Sequence, residues 1–151
     1  MKKLVLTLAL GFGMSTALIA QDNVPEQVKS NFSSAYAQAT DVEWKQKDDG
    51  YWAKFEMNGT DHWVMYNADG TVKKKGHEIA VAELPQAVTA AINKQYANRT
   101  IEEAGVVEKD GKTMYKAKLE GDDEDLKVYF NADGTVVKEK DKYKDKKKSG
   151  Y

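Results

Sequence analysis

The chain has 151 residues, with 23 Lys and Arg, 24 Asp and Glu, no Cys and a net charge of −1. The lack of Cys excludes disulfides, a thiol nucleophile and a lipid anchor on Cys. Without Lys2 and Lys3 the net charge is −3, and because residues 138–151 carry +4, residues 21–137 carry −7. A body this acidic argues against nucleic acid as the main partner, since phosphate contacts need clustered Lys and Arg.

The first twenty residues are predicted to be a secretory signal peptide. Two lysines precede residues 4–18, an apolar stretch without charge, and the small residue Ala20 precedes polar Gln21. The stretch is shorter than the roughly 20 residues of a membrane span, and no second apolar run follows it. We therefore expect cleavage after Ala20, or alternatively after Ala17, a mature protein without a membrane span, and a periplasmic or secreted location.

An internal repeat is the strongest signal in the sequence. Two blocks recur at an offset of 64, residues 66–72 as 130–136 and residues 53–56 as 117–120. Further upstream the copies match at an offset of 60, starting from Pro25 and Pro85. Several matches in the same order predict the duplication of one structural unit.

Each predicted unit begins with a helix. Pro25 and Pro85 suit a first helical turn, where a missing N–H costs nothing. Apolar residues then recur at every fourth position, which places them on one face of a helix of about three turns. They are Val28, Phe32 and Tyr36 in the first copy and Val88, Ile92 and Tyr96 in the second.

An alternation of apolar and polar residues follows each helix and predicts antiparallel strands. Asn58-Gly59 is a strong hairpin signal between two of them. Strands are expected near 42–45, 51–57, 61–66 and 71–74, and again near 104–109, 113–120, 125–130 and 135–139. The predicted fold is α+β, a tandem repeat of one helix packed on a three- to four-stranded antiparallel meander.

The same reading gives boundaries along the chain. They are residues 1–20 for the signal peptide, 21–75 for the first unit, 76–83 for a linker, 84–140 for the second unit and 141–151 for a charged, disordered tail. Within the units, Ala53, Phe55, Val64, Tyr66 and Val72 should match Ala117, Leu119, Val128, Phe130 and Val136 at the offset of 64 and face their helix.

No catalytic, metal or cofactor site is predicted. The Asn-Ala-Asp-Gly blocks and the acidic run 122–125 are interpreted as a tight turn and a solvated loop rather than calcium sites. His62 shares its register with Leu126, so it is predicted to be a half-buried structural residue. His77 is placed in the linker with no second His nearby to complete a zinc site. None of the serines lies in a nucleophile elbow, so the chain is predicted not to be an enzyme.

The two copies resemble a known family. A helix that begins with Val-Pro or Leu-Pro and a meander that ends in Tyr-Asn-Ala-Asp-Gly-Thr-Val are similar to the PepSY-like domains of Bacteroidetes periplasmic proteins, over roughly residues 22–140. Those domains are similar in fold to β-lactamase inhibitory protein, a tandem repeat of a helix and a four-stranded sheet. The resemblance implies a non-enzymatic periplasmic protein and an inhibitor of a peptidase or another secreted enzyme, with no catalytic residue to carry over.

The strand register predicts a binding surface. In the second unit Leu126, Val128 and Phe130 alternate with outward-facing Lys127. Transferred by 64 positions, the same register turns two tryptophans and a methionine away from the helix, and contiguous exposed aromatics typically mark an interface. The predicted partner-binding residues are Trp52, Trp63, Met65 and Tyr129, with Lys54 and Glu56 around them. The alternative is that the linker or the other unit covers these side chains.

Three functions therefore compete. The leading hypothesis is a binding module for another exported protein, such as an inhibitor or regulator of a secreted or periplasmic peptidase, which predicts an open face with clustered aromatics. The second is a glycan- or ligand-binding protein of the cell envelope, which predicts a row of exposed aromatic planes. The third is a hydrolase with paired carboxylates, which predicts a deep pocket with shifted pKa values. The sequence does not determine the oligomeric state.

Overall fold

Two helices form where apolar residues recur every four positions. The structure, a computed structural model, describes residues 23–47, 50–122 and 124–141, so the predicted signal peptide and nearly all of the predicted tail lie outside it. Helix α1 spans Glu26–Ala35 and helix α2 spans Gln86–Gln95, each directly after its proline. Neither helix is long and apolar enough to cross a membrane.

Eight strands form one antiparallel sheet in which every strand pairs with its neighbours in sequence. The first four are β1 Thr40–Lys47, β2 Gly50–Met57, β3 Thr60–Tyr66 and β4 Val72–Ile79. A 3₁₀ helix, Val81–Glu83, and α2 precede the others, which are β5 Thr100–Lys109, β6 Lys112–Glu120, β7 Leu126–Phe130 and β8 Val136–Asp141. The predicted α+β class is confirmed, and the order of one helix and four strands occurs twice.

The predicted linker is wrong for residues 76–79. These residues continue β4 and pair with β5, for example Gly76 with Val107 and Ile79 with Ala104. The pairing satisfies backbone groups of β4 that would otherwise form an open sheet edge. It joins all eight strands into one sheet, so only the stretch around the 3₁₀ helix acts as a connection between the strands and α2.

Both helices lie on the same face of the sheet. Directly paired residues point to the same side, and one row of pairs runs from the core under α1 to the core under α2. The row consists of Phe55, His62, His77, Val106, Tyr115 and Phe130. The opposite face carries no helix of the described residues, and we call it the helix-free face.

Each helix packs on its own apolar cluster. Under α1, Val28 and Phe32 contact side chains of β2 and β3, and under α2, Val88 and Ile92 contact side chains of β5, β6 and β7. Eight of the ten residues predicted to face a helix are buried. The exceptions are Val72 and Val136, which are 51% and 39% exposed. They stand at the first position of their strands, where the register with Tyr66 and Phe130 is shifted.

The repeated Asn-Ala-Asp-Gly blocks are turns, as predicted. Asp69 accepts hydrogen bonds from the backbone N–H and the hydroxyl of Thr71 at 2.9 and 2.6 Å, and Asp133 accepts the same bonds from Thr135. These bonds lower the pKa of both carboxyl groups. Since each carboxylate is engaged within its own turn, the turn interpretation is favoured over a calcium loop.

Phe55 provides a test of the core under α1. Its ring is 1% exposed and lies 5.0 Å from the ring of Phe32. Phe55→Ala should lower the free energy of unfolding by about 3–5 kcal/mol, because it removes a buried aromatic ring and leaves a cavity. Chemical denaturation measures this change. Val72→Ala serves as the exposed control and should change stability by less than about 1 kcal/mol; equal effects of the two substitutions would contradict the assigned core.

The turn glycines test how closely the turns pack on the helices. Gly134 and Gly111 both have positive φ angles, 84° and 72°, but only a Cβ on Gly134 would collide with the backbone oxygen of Ala87 in α2. Gly111→Ala should cost about 1–2 kcal/mol for the left-handed backbone alone. Gly134→Ala should cost more in the same denaturation assay, and a cost no greater than that of Gly111→Ala would mean that the turn does not pack on α2.

Candidate functional site

The six predicted partner-binding residues all belong to the helix-free face. The strand pairs Trp52–Met65, Lys54–Trp63 and Glu56–Asp61 place five of them there on β2 and β3. Tyr129 pairs with Lys116 on the same face, in the second half of the sheet. The alternation read from the sequence therefore placed every one of these side chains on the correct side.

The two tryptophans of this face form a pair. Their rings lie 4.8 Å apart at 31°, and the ammonium group of Lys74 lies 4.8 Å from the ring of Trp52 and 5.9 Å from that of Trp63. Such ammonium–ring contacts are attractive. Trp63 also lies on Gly76 of β4, where an added Cβ would be 2.6 Å from its ring. Both tryptophans are thus half-buried against neighbours on their own sheet.

Met65 does not contribute an exposed side chain, so this part of the predicted surface is wrong. It is only 3% exposed. Its methyl group lies over Gly50, which has no side chain to exclude it. Its strand neighbours are Trp52 and Lys74, and because the lysine reaches the tryptophan ring, these two side chains close over it. Met65 therefore packs between the sheet and the side chains of Trp52 and Lys74.

A groove of about 330 Å³ lies beside the tryptophan pair. Trp52, Trp63, Gly105 and Val107 provide apolar and backbone surface, and charged side chains surround it. The lining charged residues are Glu43, Lys45, Lys47, Lys54, Asp61, Glu78 and Lys116. Of the predicted site, Trp52, Trp63 and Lys54 line this groove, whereas Met65, Glu56 and Tyr129 do not.

Sequence reasoning missed the part of the groove that β5 contributes. Gly105 is buried, and a Cβ there would be 3.0 Å from the carbonyl oxygen of His77. An isolated Gly within a strand is typical of a close approach by another backbone or a ligand. That signal was available in the sequence, but no pattern connected Gly105 to Trp63, because they are neighbours only through β4.

One ion pair lies at the groove, and others lie elsewhere on the sheet. Lys54 contacts Asp61 at 2.9 Å, and this hydrogen bond is the main cause of its raised pKa. Lys118 contacts Glu102 at 2.6 Å and Glu103 at 3.5 Å, and the hydrogen bond that it donates to Glu102 likewise raises its pKa. These lysines stay charged at neutral pH. Exposed pairs of this kind contribute little to stability, but they fix the charge pattern that a partner meets.

The histidines lie on the other face, and the prediction that His77 has no second His nearby is wrong. His62 and His77 are cross-strand partners, and their rings lie 5.3 Å apart at 22°. His62 is half-buried, as predicted, with its ring 5.5 Å from that of Phe55. Burial, and secondly repulsion from His77, lowers the pKa of His62. The pairing of β3 with β4 brings these two residues together. The sequence did not predict this contact, because His77 was placed in a linker rather than in a strand.

Among the described residues, no three His, Asp or Glu side chains come close enough together to hold a metal ion. In the predicted acidic loop, Asp125 contacts Lys118 at 3.9 Å. The backbone carbonyl of Glu124 accepts a hydrogen bond from Arg99. The described part of this loop is therefore tied to the sheet by basic side chains.

A family model described as "Putative beta-lactamase-inhibitor-like, PepSY-like" matches residues 14–72 and, in a second match, residues 49–138. The chain belongs to this PepSY-like family. Among curated proteins, none matches its sequence significantly. The recognition made from the two repeat blocks is thus confirmed.

Solved structures of Bacteroides proteins have the same fold as this PepSY-like chain. A DUF2874 family protein from Bacteroides ovatus is 26% identical, with a TM-score of 0.70, over 80% of this chain and 89% of that one. A protein from Bacteroides eggerthii titled as a putative periplasmic protein is 20% identical, with a TM-score of 0.73, over 80% and 90%. A BLIP-like protein from Bacteroides fragilis is 23% identical, with a TM-score of 0.66, over 78% and 86%.

Gly76 provides a test of the tryptophan pair in this PepSY-like protein. In Gly76→Ala the new methyl group would overlap both the ring of Trp63 and the backbone oxygen of Val106. Trp63 should move off β4 and become more exposed, which shifts its fluorescence to longer wavelength. Gly59→Ala, in a hairpin with nothing within 4 Å, is the control. An unchanged spectrum of Gly76→Ala, measured in a Trp44→Phe background, would refute the packing of Trp63 on Gly76.

Proposed function

We propose that this PepSY-like protein is a non-catalytic binding module that contacts another exported protein through its helix-free face. The observation that carries the proposal is the groove beside Trp52 and Trp63, with apolar surface at its centre and charged side chains around it. Protein interfaces have this arrangement of an apolar core and a polar rim. Tryptophan is also enriched among the residues that dominate binding energy.

The chemistry of the groove favours binding over catalysis. Apart from His62 and His77, its titratable residues are carboxylates and lysines, and Lys54 is held in its charged form by Asp61. Such a lysine is a poor proton donor or acceptor near pH 7. His62 and His77 also belong to the groove lining, but their register directs both side chains toward the helix-bearing face, away from the tryptophan pair.

A protein partner is favoured over a glycan. Sugar recognition by stacking needs flat aromatic faces open to solvent. Trp52 and Trp63 instead lie against each other, beneath the ammonium group of Lys74 and on Gly76. The charged rim adds electrostatic complementarity, which gives a protein interface its specificity.

The family supports a more specific form of the proposal. The matching model is described as β-lactamase-inhibitor-like, and one structural neighbour is titled a BLIP-like protein. We infer that this chain inhibits or regulates a secreted or periplasmic enzyme such as a peptidase. Export is supported by the predicted signal peptide and by the periplasmic title of another neighbour. Two matches of one family model also support a duplicated helix-plus-meander unit.

Capture from an envelope extract of the source organism tests the proposed face. Trp52→Ala and Lys54→Ala alter the tryptophan pair and the rim of the groove. The matched control is Lys94→Ala, which removes an exposed lysine of α2, on the other side of the sheet. A partner bound by the wild type and by the control should be lost from Trp52→Ala, since an interface tryptophan typically contributes about 2 kcal/mol or more.

Thermal melting must accompany this comparison. The Lys54→Ala variant should keep its melting temperature, because an exposed ion pair contributes only about 0–1 kcal/mol. Equal capture by all folded variants would place the partner elsewhere on the molecule. Turnover of a peptidase, esterase or glycosidase substrate by the pure protein, abolished by one point substitution, would overturn the non-catalytic assignment.

A further inference from the structure

The two histidines of the chain stand side by side on neighbouring strands. They are its only imidazoles, and β3 and β4 pair them directly on the helix-bearing face. Directly paired residues of antiparallel strands have Cβ atoms about 4.5–5.5 Å apart. Their ring centres are 5.3 Å apart, and the rings are nearly parallel at 22°. The backbone thus holds both imidazoles next to each other without any movement of the fold.

This separation fits the binding of one metal ion by both rings. Zinc binds imidazole nitrogen at about 2.0–2.1 Å with tetrahedral angles. Two imidazoles on one such ion have ring centres roughly 5 Å apart, which follows from that bond length and angle. The observed separation of 5.3 Å between the two ring centres is close to this value. A rotation of the side chains would then direct one nitrogen of each ring at a common ion.

The surroundings leave room for a hydrated ion. His62 and His77 line a cavity of about 250 Å³ together with Tyr36, Met57 and Glu108. Both histidines are partly exposed, so an ion can enter from solvent. The charged side chains that line this cavity are Lys75 and Glu108, which contact each other at 3.2 Å, and Asp61 precedes His62 on the other face. No lysine is paired directly opposite either imidazole.

We propose that His62 and His77 together bind one divalent transition metal ion of the zinc class, with water at its remaining positions. Imidazole is a preferred ligand of zinc, copper and nickel. The ion joins β3 to β4, on the reverse of the strands that carry Trp63 and Gly76, and it stabilises the native state because the unfolded chain does not hold the two rings together. The imidazoles face away from the tryptophan pair by their register, and the site does not depend on the proposed function.

Calorimetric titration of the untagged protein with Zn²⁺ alone tests the site. One ion should bind per chain, and the melting temperature should rise with Zn²⁺ concentration. His62→Gln and His77→Gln should each weaken binding by about tenfold or more, the factor that corresponds to about 1.4 kcal/mol. The double variant should lose the site. Glu120→Gln, at the exposed far end of β6, is the control and should bind like the wild type.

Several results would overturn the proposal. They are binding without a defined stoichiometry, full affinity in either single His variant, or a loss in Glu120→Gln as large as that in the His variants. If a His variant fails to fold, ¹⁵N-histidine NMR of the wild type replaces it. Zn²⁺ should then shift the ring signals of both histidines, and a response of one ring or of neither would refute the shared site.

Discussion

The pairing of β4 with β5 is the constraint on which the rest of the structure depends. It is a close approach, because a Cβ on Gly76 would lie 2.5 Å from the backbone oxygen of Val106, and one on Gly105 would lie 3.0 Å from that of His77. Two glycines on adjoining strands leave space for this contact. Through it, two meanders that would each end in an open edge become one sheet of eight strands.

Because all eight strands form a single sheet, its two halves share the same two faces. Because the register is continuous, the helices α1 and α2 fall on the same face and bury two separate apolar clusters there. On the other face, no helix of the described residues covers any of the eight strands. The groove beside Trp63 extends over β4 to Gly105, so it exists only because the halves are joined. The same junction places His77 opposite His62 on the reverse side.

The sequence predicted on which face of the sheet the candidate residues lie, but it did not predict how exposed their side chains are. Alternation along a strand fixes which side of a sheet a residue faces, so Trp52, Trp63 and Tyr129 could be placed correctly. Exposure depends on side chains of the neighbouring strands, which lie several residues away in the sequence. Met65 is covered because Lys74 reaches across it to Trp52. No local pattern contains that three-strand contact.

The sequence by itself determined the local elements, because their signals lie within a few residues of one another. Four-residue spacing defined the helices, alternation defined the strands, and the Asn-Ala-Asp-Gly blocks defined the turns that Asp69 closes on Thr71. Only the tertiary structure decided how the two halves meet. That depends on the edge of β4 pairing with β5, a contact between residues 25 to 33 positions apart in the sequence. This pairing turned a predicted linker into a central strand, gave the tryptophan pair its groove, and brought two distant histidines together.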